Sequence, residues 1–350
     1  MPPWSQPRAR RSSVARCPEY VNPCVRPDRP ASSTCMTAPP GDFVGPDLTP
    51  EHYVHELPPA VRRELARLLA AIAAGENVEP DVRATMDDAT ARTAAALATG
   101  PGLILLRGVP VAGHDRATLA TLYTMFGRAL GRPMPQNLEG ETITDIRDTG
   151  EDPADPDVRL YRTRAEQDFH TDGADVIGLL ALRTARSGGA SRIVSSVRVY
   201  EAVREQRPDL APLLLQPWFF RIPGAKARGL PEAMPRPIVT VVGDKIESFF
   251  IGWYIRNAQG LPGVPPLSDA QHEVLALYEA TANDPALYLD MDFQPGDVQW
   301  LRNCFVLHKR TAYEDHAEAE RKRHLLRLWL AIDRLSDGTP RFPIEGGAPQ

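Results

Sequence analysis

Three side chains of this sequence have the types and spacing to hold a divalent cation. His170 and Asp172 stand one residue apart in "EQDFHTDGADVIGLLALR". In an extended segment residues i and i+2 face the same way, about 7 Å apart at their roots, so an imidazole and a carboxylate can converge on one ion. His308 ends the apolar run in "PGDVQWLRNCFVLHKR" and would complete a two-histidine, one-carboxylate set. Such a set leaves positions open for substrate and O2 and is diagnostic of non-haem iron(II) oxygenases. Taken singly, the pieces have plainer readings: His170 in solvent with Asp172 opening the "TDG" turn, and His308 as a hydrogen-bonded core histidine.

Two arginines raise the same choice. In "ERKRHLLRLWLAID" a strand would put residues 323, 325, 327 and 329 on one face, with both guanidiniums pointing the same way. A helix with scattered surface charges is the competing reading. The strand has chemical content, because the planar fork of an arginine holds a carboxylate bidentately.

The order of these pieces resembles a known family. H-T-D at 170–172, G-G-A-S at 188–191, P-G-D, Asn303 and His308 in 295–308, and R-H-L-L-R at 323–327 are similar to the taurine dioxygenase superfamily. That superfamily also includes the 2,4-dichlorophenoxyacetate and γ-butyrobetaine oxygenases. The match runs over roughly residues 100–335 and is strongest at 167–200 and 294–333. The resemblance implies a double-stranded β-helix (jelly roll) and three reaction partners: Fe(II), 2-oxoglutarate as co-substrate, and O2. It makes His170, Asp172 and His308 the metal ligands and Arg323 the anchor of the far carboxylate of 2-oxoglutarate. Arg327 then matches an inward arginine that in some members binds an anionic substrate. Ser191 stands where the family has a threonine that helps hold the co-substrate, and keeps the hydroxyl. Asn303 matches an asparagine of the site wall. A carboxylate at 172, in place of a small residue, disfavours halogenation. The implied reaction is oxidation, by default hydroxylation, of a C–H bond in a small acid, with release of succinate and CO2. Two rival readings keep the fold but not the activity: a metal-binding barrel without oxygenase chemistry, and a cupin-like hydrolase or isomerase. The second leaves Arg323 without a task.

The elements that must position these groups are legible in outline. Apolar spacing, with Pro near the start and Gly after the end, predicts a helix over 58–74. Further helices are expected at about 81–98 and over "HDRATLATLYTMFGRALG", with the buried strand "GLILLRGVPV" between them. After residue 140 come short strands: "TITDIRD", "VIGLLALRTA", "ASRIVSSV", "PIVTVVG", "ESFFIGWYI", "ALYLDMDF", "DVQWLRN", "CFVLHKR" and "HLLRLWLAID". They are interrupted by helices "SVRVYEAVREQRP" and "SDAQHEVLALYEATAN". Strands that do not alternate regularly with helices argue against a doubly wound sheet and for a mainly β jelly-roll barrel with α insertions, flanked by helices. Tyr161, Thr163, Trp253, Tyr254 and Arg256 lie in segments expected near the barrel mouth.

Composition narrows the class. The net charge of −5 gives no clustered basic face for nucleic acid, and no apolar run nears the roughly 18 residues of a membrane span. The expected partner is a small molecule; a homo-oligomer is left open. Cys17, Cys24 and Cys35 precede the patterned chain and only Cys304 lies within it, which fits a reducing, cytoplasmic setting and excludes a disulfide framework. Residues 1–45 are rich in Pro, Arg and Ser and are expected to be a disordered tail, with Met36 as a natural start. A single oxygenase domain is expected over 46–345.

Overall fold

The computed structural model describes residues 39–137, 140–153, 158–226, 229–243, 245–332 and 335. The chain begins with α1 (Pro50–Tyr53), β1 (Val54–Glu56), α2 (Pro59–Ala73), α3 (Glu79–Thr85) and α4 (Asp87–Ala98). There follow β2 (Leu103–Arg107), α5 (Arg116–Leu130), β3 (Arg132–Met134), β4 (Ile143–Ile146), β5 (Gln167–His170) and β6 (Val176–Arg183). The middle holds β7 (Ser187–Gly188), β8 (Ser191–Ser195), α6 (Ser196–Gln206), β9 (Pro217–Arg221), β10 (Ala233–Pro237), β11 (Val239–Val242) and β12 (Lys245–Ser248). It closes with α7 (Gly252–Ala258), α8 (Asp269–Ala282), β13 (Leu289–Met291), β14 (Val298–Arg302), β15 (Val306–Arg310), β16 (Tyr313–Glu314) and β17 (His324–Ala331).

Two sheets carry the fold. The larger runs β1-β2-β14-β6-β17-β3, with β4 also paired to β17; the smaller runs β13-β8-β15-β5. They present their inner faces to one cavity, lined by Leu179, Leu325 and Arg327 from the large sheet and His170, Ser191 and His308 from the small one. This is the jelly-roll arrangement expected, although the ladders do not join into a closed barrel.

The two-residue period of β17 explains its place. Leu326, Leu328 and Leu330 are fully buried in the core shared with α2, α4 and α5, each worth about 1.5–3 kcal/mol of burial. Leu325, Arg327 and Trp329 therefore face the other way, toward the cavity side. Gly178 of β6 lets this core close: a Cβ there would lie 2.2 Å from Tyr123 Oη and 2.3 Å from the Trp300 ring. Behind the small sheet a second core joins Phe169, Val194 and Leu307 to Val199, Val203, Val274 and Tyr278 of α6 and α8. Helix α8 starts at a capping box, Ser268 with Gln271, which satisfies two orphan N–H groups reciprocally.

Strands β15 and β5 pair with a bulge. His308 lies opposite His170 and Arg310 opposite Gln167, so Asp168 and Phe169 of β5 face Lys309 alone.

The structure corrects several expectations. The helix expected over 81–98 is two, α3 and α4, broken at Met86 (φ −99°, ψ 10°). Met86 is buried, and Asp87 and Asp88 favour a fresh helix start by complementing the N-terminal dipole. "ESFFIGWYI" is a strand only to Ser248; from Gly252 the chain is helical and buries Ile255 and Ala258 at helical spacing. The hairpin of β9 and β10 went unforeseen because Pro217, Pro235 and Pro237 argue against a strand interior, yet a two-stranded ribbon has room for them at its edges. The tail expected over 1–45 lies outside the described residues up to 38. Beyond that point the boundary moves earlier: Phe43 is buried, and Gly41 and Gly45 bond the backbones of Gly100 and Leu287.

Candidate active site

The H-T-D triplet straddles the end of β5. His170 is its last residue, and its Nδ1 lies 2.8 Å from the Asp168 carbonyl oxygen. Donation there fixes the tautomer and leaves the Nε2 lone pair facing inward. Asp172 follows on the turn, with a carboxylate oxygen 3.9 Å from the Nε2 of His170 and the other 3.9 Å from the Nε2 of His308. The ligand atoms of the three all lie within 4.8 Å of one another, so they converge as the spacing predicts.

Their charge states suit a cation. Burial holds the His170 imidazole below its ordinary range. His308 is pushed down to about 3, by burial first and by His170 second. Both rings are therefore neutral, with lone pairs available. Burial pushes Asp172 upward, but the carboxyl stays below its usual range, with the Arg327 guanidinium the foremost opposing cause and the Trp329 N–H adding to it. Two imidazoles and a carboxylate around one point form a donor set that fits iron(II).

Asp172 is held from several sides. Its Oδ2 accepts from Trp329 Nε1 at 3.1 Å and from Arg327 Nη1 at 3.3 Å. Its backbone N–H donates to Asn303 Oδ1 at 2.7 Å, and its carbonyl accepts from Asn303 Nδ2 at 2.6 Å. Asn303 thus clamps the Asp172 main chain, and Trp329 is a contact that sequence reasoning missed.

Arg323 lies at the far end of the cavity. It is 4% exposed, its Nη1 has no hydrogen-bond partner, and burial, then Arg310, lower it to about 10. The "GGAS" turn makes room for it. Gly188 and Gly189 take φ of 72° and 75°, a region that favours glycine, and a Cβ on Gly189 would lie 3.0 Å from Arg323 Nε. Ser191 lines the same cavity, its hydroxyl engaged with the Gln299 amide at 3.2 Å. Arg327 stands beside the His170, Asp172 and His308 cluster, with Nη1 donating to Asp172 Oδ2, Nε donating to Gln136 Oε1 at 2.7 Å and its guanidinium over the Tyr161 ring at 5.1 Å.

Of the mouth residues, Tyr161 lines the cavity, and Trp253 sets its ring 5.2 Å from His170. Tyr254 packs on Trp253 and accepts from Arg159 at 3.0 Å. Thr163 is buried and bonds the Leu160 carbonyl, a structural role, and Arg256 pairs with Glu279 on the surface. Sequence reasoning missed Gln167, whose amide sits 3.1 Å from His170 Nε2, and Arg310, which shares the cavity.

With this geometry in place, the comparisons agree on the class. The chain belongs to the taurine catabolism dioxygenase TauD, TfdA family, whose model matches residues 52–329. It is an iron(II)- and 2-oxoglutarate-dependent dioxygenase that acts with O2 on a small molecule. Among similar proteins, the FR-33289 synthase of Streptomyces rubellomurinus (strain ATCC 31215) is 31% identical over 241 residues, 67% of this chain and 70% of that one. A uridine-5'-phosphate dioxygenase of Streptomyces sp. is 25% identical over 61% of this chain and 78% of its own length. The fold is shared with an asparagine oxygenase solved with Fe(II), 3-hydroxyasparagine and succinate, at TM-score 0.65 and 17% identity over 82% of this chain and 97% of that one. No helix among the described residues is long and apolar enough to cross a membrane.

Proposed function

We propose that His170, Asp172 and His308 hold the iron and that Arg323 anchors the far carboxylate of 2-oxoglutarate, with Ser191 beside it. Arg327 then receives the acidic group of a small anionic substrate, whose C–H bond is hydroxylated. The observation that carries this reading is the meeting, around one cavity, of a cluster of three candidate ligands and a buried guanidinium with an unused N–H. Uridine-5'-phosphate and hydroxyasparagine, named with two of the similar proteins, are small molecules bearing an acidic group.

When bound, iron(II) with 2-oxoglutarate and O2 supplies the oxidising power, and the co-substrate leaves as succinate and CO2. The chain's residues bind and orient. Asn303 fixes the Asp172 backbone, and Trp329 and Arg327 hold one carboxylate oxygen, so the ligand set is preorganised. Ile177, Leu179, Phe293 and Leu325 line the space between the charged ends and keep water from the reacting carbon. The charge of −5 and the cysteine placement favour a cytoplasmic enzyme acting on a free metabolite rather than on nucleic acid. The described residues between 39 and 332 form its single catalytic domain.

The test is substrate-dependent succinate release across a panel of small phosphate esters, amino acids and other carboxylic acids, each beside a neutral analogue. Stimulation by an acid and not by its analogue is expected. Stimulation by the neutral compounds alone would remove Arg327 from substrate recognition.

A further inference from the structure

Three guanidiniums line the cavity, and the reading above gives work to two of them. The third is Arg310, two residues beyond His308 on β15. Residues at that spacing share a face of a strand, so the geometry that turns His308 inward turns Arg310 inward as well.

Arg310 is 7% exposed, and its hydrogen bonding is incomplete. Nη2 donates to the carbonyl oxygens of Leu160, at 3.1 Å, and Ala165. Nε and Nη1 are buried without a partner, as is Nη1 of Arg323. Two carboxylates act on these arginines from nearby, Asp315 on Arg323 and Asp148 on Arg310, and Asp315 Oδ2 is itself buried without a partner. Asp315 Oδ1 accepts the backbone N–H of Arg323 at 2.7 Å, and Asp148 pairs with Arg164. Both cations lie against one aromatic ring, with Tyr313 centred 5.3 Å from Arg310 Cζ and 5.0 Å from Arg323 Cζ. Two like charges buried together with unused donors are costly to keep. An anion placed between them removes that cost.

An ionised carboxylate offers about four lone-pair sites, so one held bidentately by Arg323 still has acceptors to spare. We propose that Arg310 is a second guanidinium for the far carboxylate of 2-oxoglutarate, completing with Arg323 and Tyr313 a pocket that selects a dicarboxylate over a monocarboxylic 2-oxo acid. The inference rests on the co-substrate reading of Arg323.

The experiment is a binding titration of iron(II)-loaded protein without O2, followed by the charge-transfer absorption and by the shift in melting temperature. Two ligands are compared: 2-oxoglutarate, and 2-oxopentanoate, which keeps the chain length and lacks the far carboxylate. Arg310→Met should weaken 2-oxoglutarate by at least ~10-fold, the scale of one charge-assisted hydrogen bond, and leave 2-oxopentanoate within about twofold. Arg310→Lys should fall between, keeping the charge without the fork. An unchanged 2-oxoglutarate affinity, or an equal loss for both ligands, overturns the assignment. If Arg310→Met does not fold, Arg310→Lys decides by the same ratio between ligands. Arg323→Met separates the two claims. If it too leaves 2-oxoglutarate binding intact, the co-substrate site itself is misplaced; if it alone weakens binding, only Arg310 is misassigned.

Discussion

The two ends of the cavity differ in how much of their bonding the protein completes for itself. At the metal end Asp172 is held through both backbone groups by Asn303 and through one carboxylate oxygen by Trp329 and Arg327. At the far end Arg323 and Arg310 keep buried donors without partners. The first end is stiffened so that a ligand set waits in place. The second carries a desolvation cost that a bound anion would relieve; on the proposed assignment, part of the affinity for the co-substrate is stored there.

This contrast can be broken most sharply at the metal end. His170→Ala, Asp172→Ala or His308→Ala should abolish both the anaerobic violet absorption with 2-oxoglutarate and all succinate release. A variant that keeps both is not missing a ligand. At the far end Arg323→Ala should lower 2-oxoglutarate affinity by about 30-fold to several thousandfold, since a buried carboxylate left unpaired costs roughly 2–5 kcal/mol. Arg327→Ala should leave that affinity within a few-fold and raise KM for the substrate instead. If the two variants exchange these effects in a co-substrate titration, the assignments are reversed.

A subtler probe addresses preorganisation. Asn303→Ala should reduce iron(II) affinity by about 10–100-fold while the metal-free protein still folds, measured by metal titration beside a melting curve. Unchanged metal affinity would mean that the clamp does not set the ligand. The smallest effect is expected at the N-terminus. Deleting residues 1–35 should shift the melting temperature by no more than about 2 °C, whereas continuing through Gly45 removes buried Phe43 and should cost several degrees more.

The fold was readable wherever one period ruled a segment. "RHLLRLWL" alternates leucines with inward groups, and β17 follows that alternation. The same rule fails at "GWYI", where a short apolar run carries no period and Gly252 opens a helix. For the site, the motif order that carries the family resemblance singled out His170, Asp172, His308 and Arg323; the structure brings the first three together and sets Arg323 on the same cavity. Arg310 was not singled out, because "HKRTAYED" looks like a charged, solvated stretch, and only the fold shows Lys309 and Arg310 both buried. The work of Asn303 was equally hidden, since its bonds reach a residue 131 positions away. Local pattern carries no information about such a contact.

The bulge between β5 and β15 acts as a change of phase. In an unbroken strand residues three apart face opposite ways, yet Gln167 and His170 both reach the cavity. The additional residue resets the alternation between them, sending Asp168 to solvent and Phe169 into the core behind the sheet. β5 is an edge strand, where a change of length by one residue would ordinarily be absorbed at the end of the ladder. Here a chain shortened by one residue could keep every rung and still turn Gln167 or His170 out of the cavity. Along this stretch, residue count carries as much chemical information as residue identity.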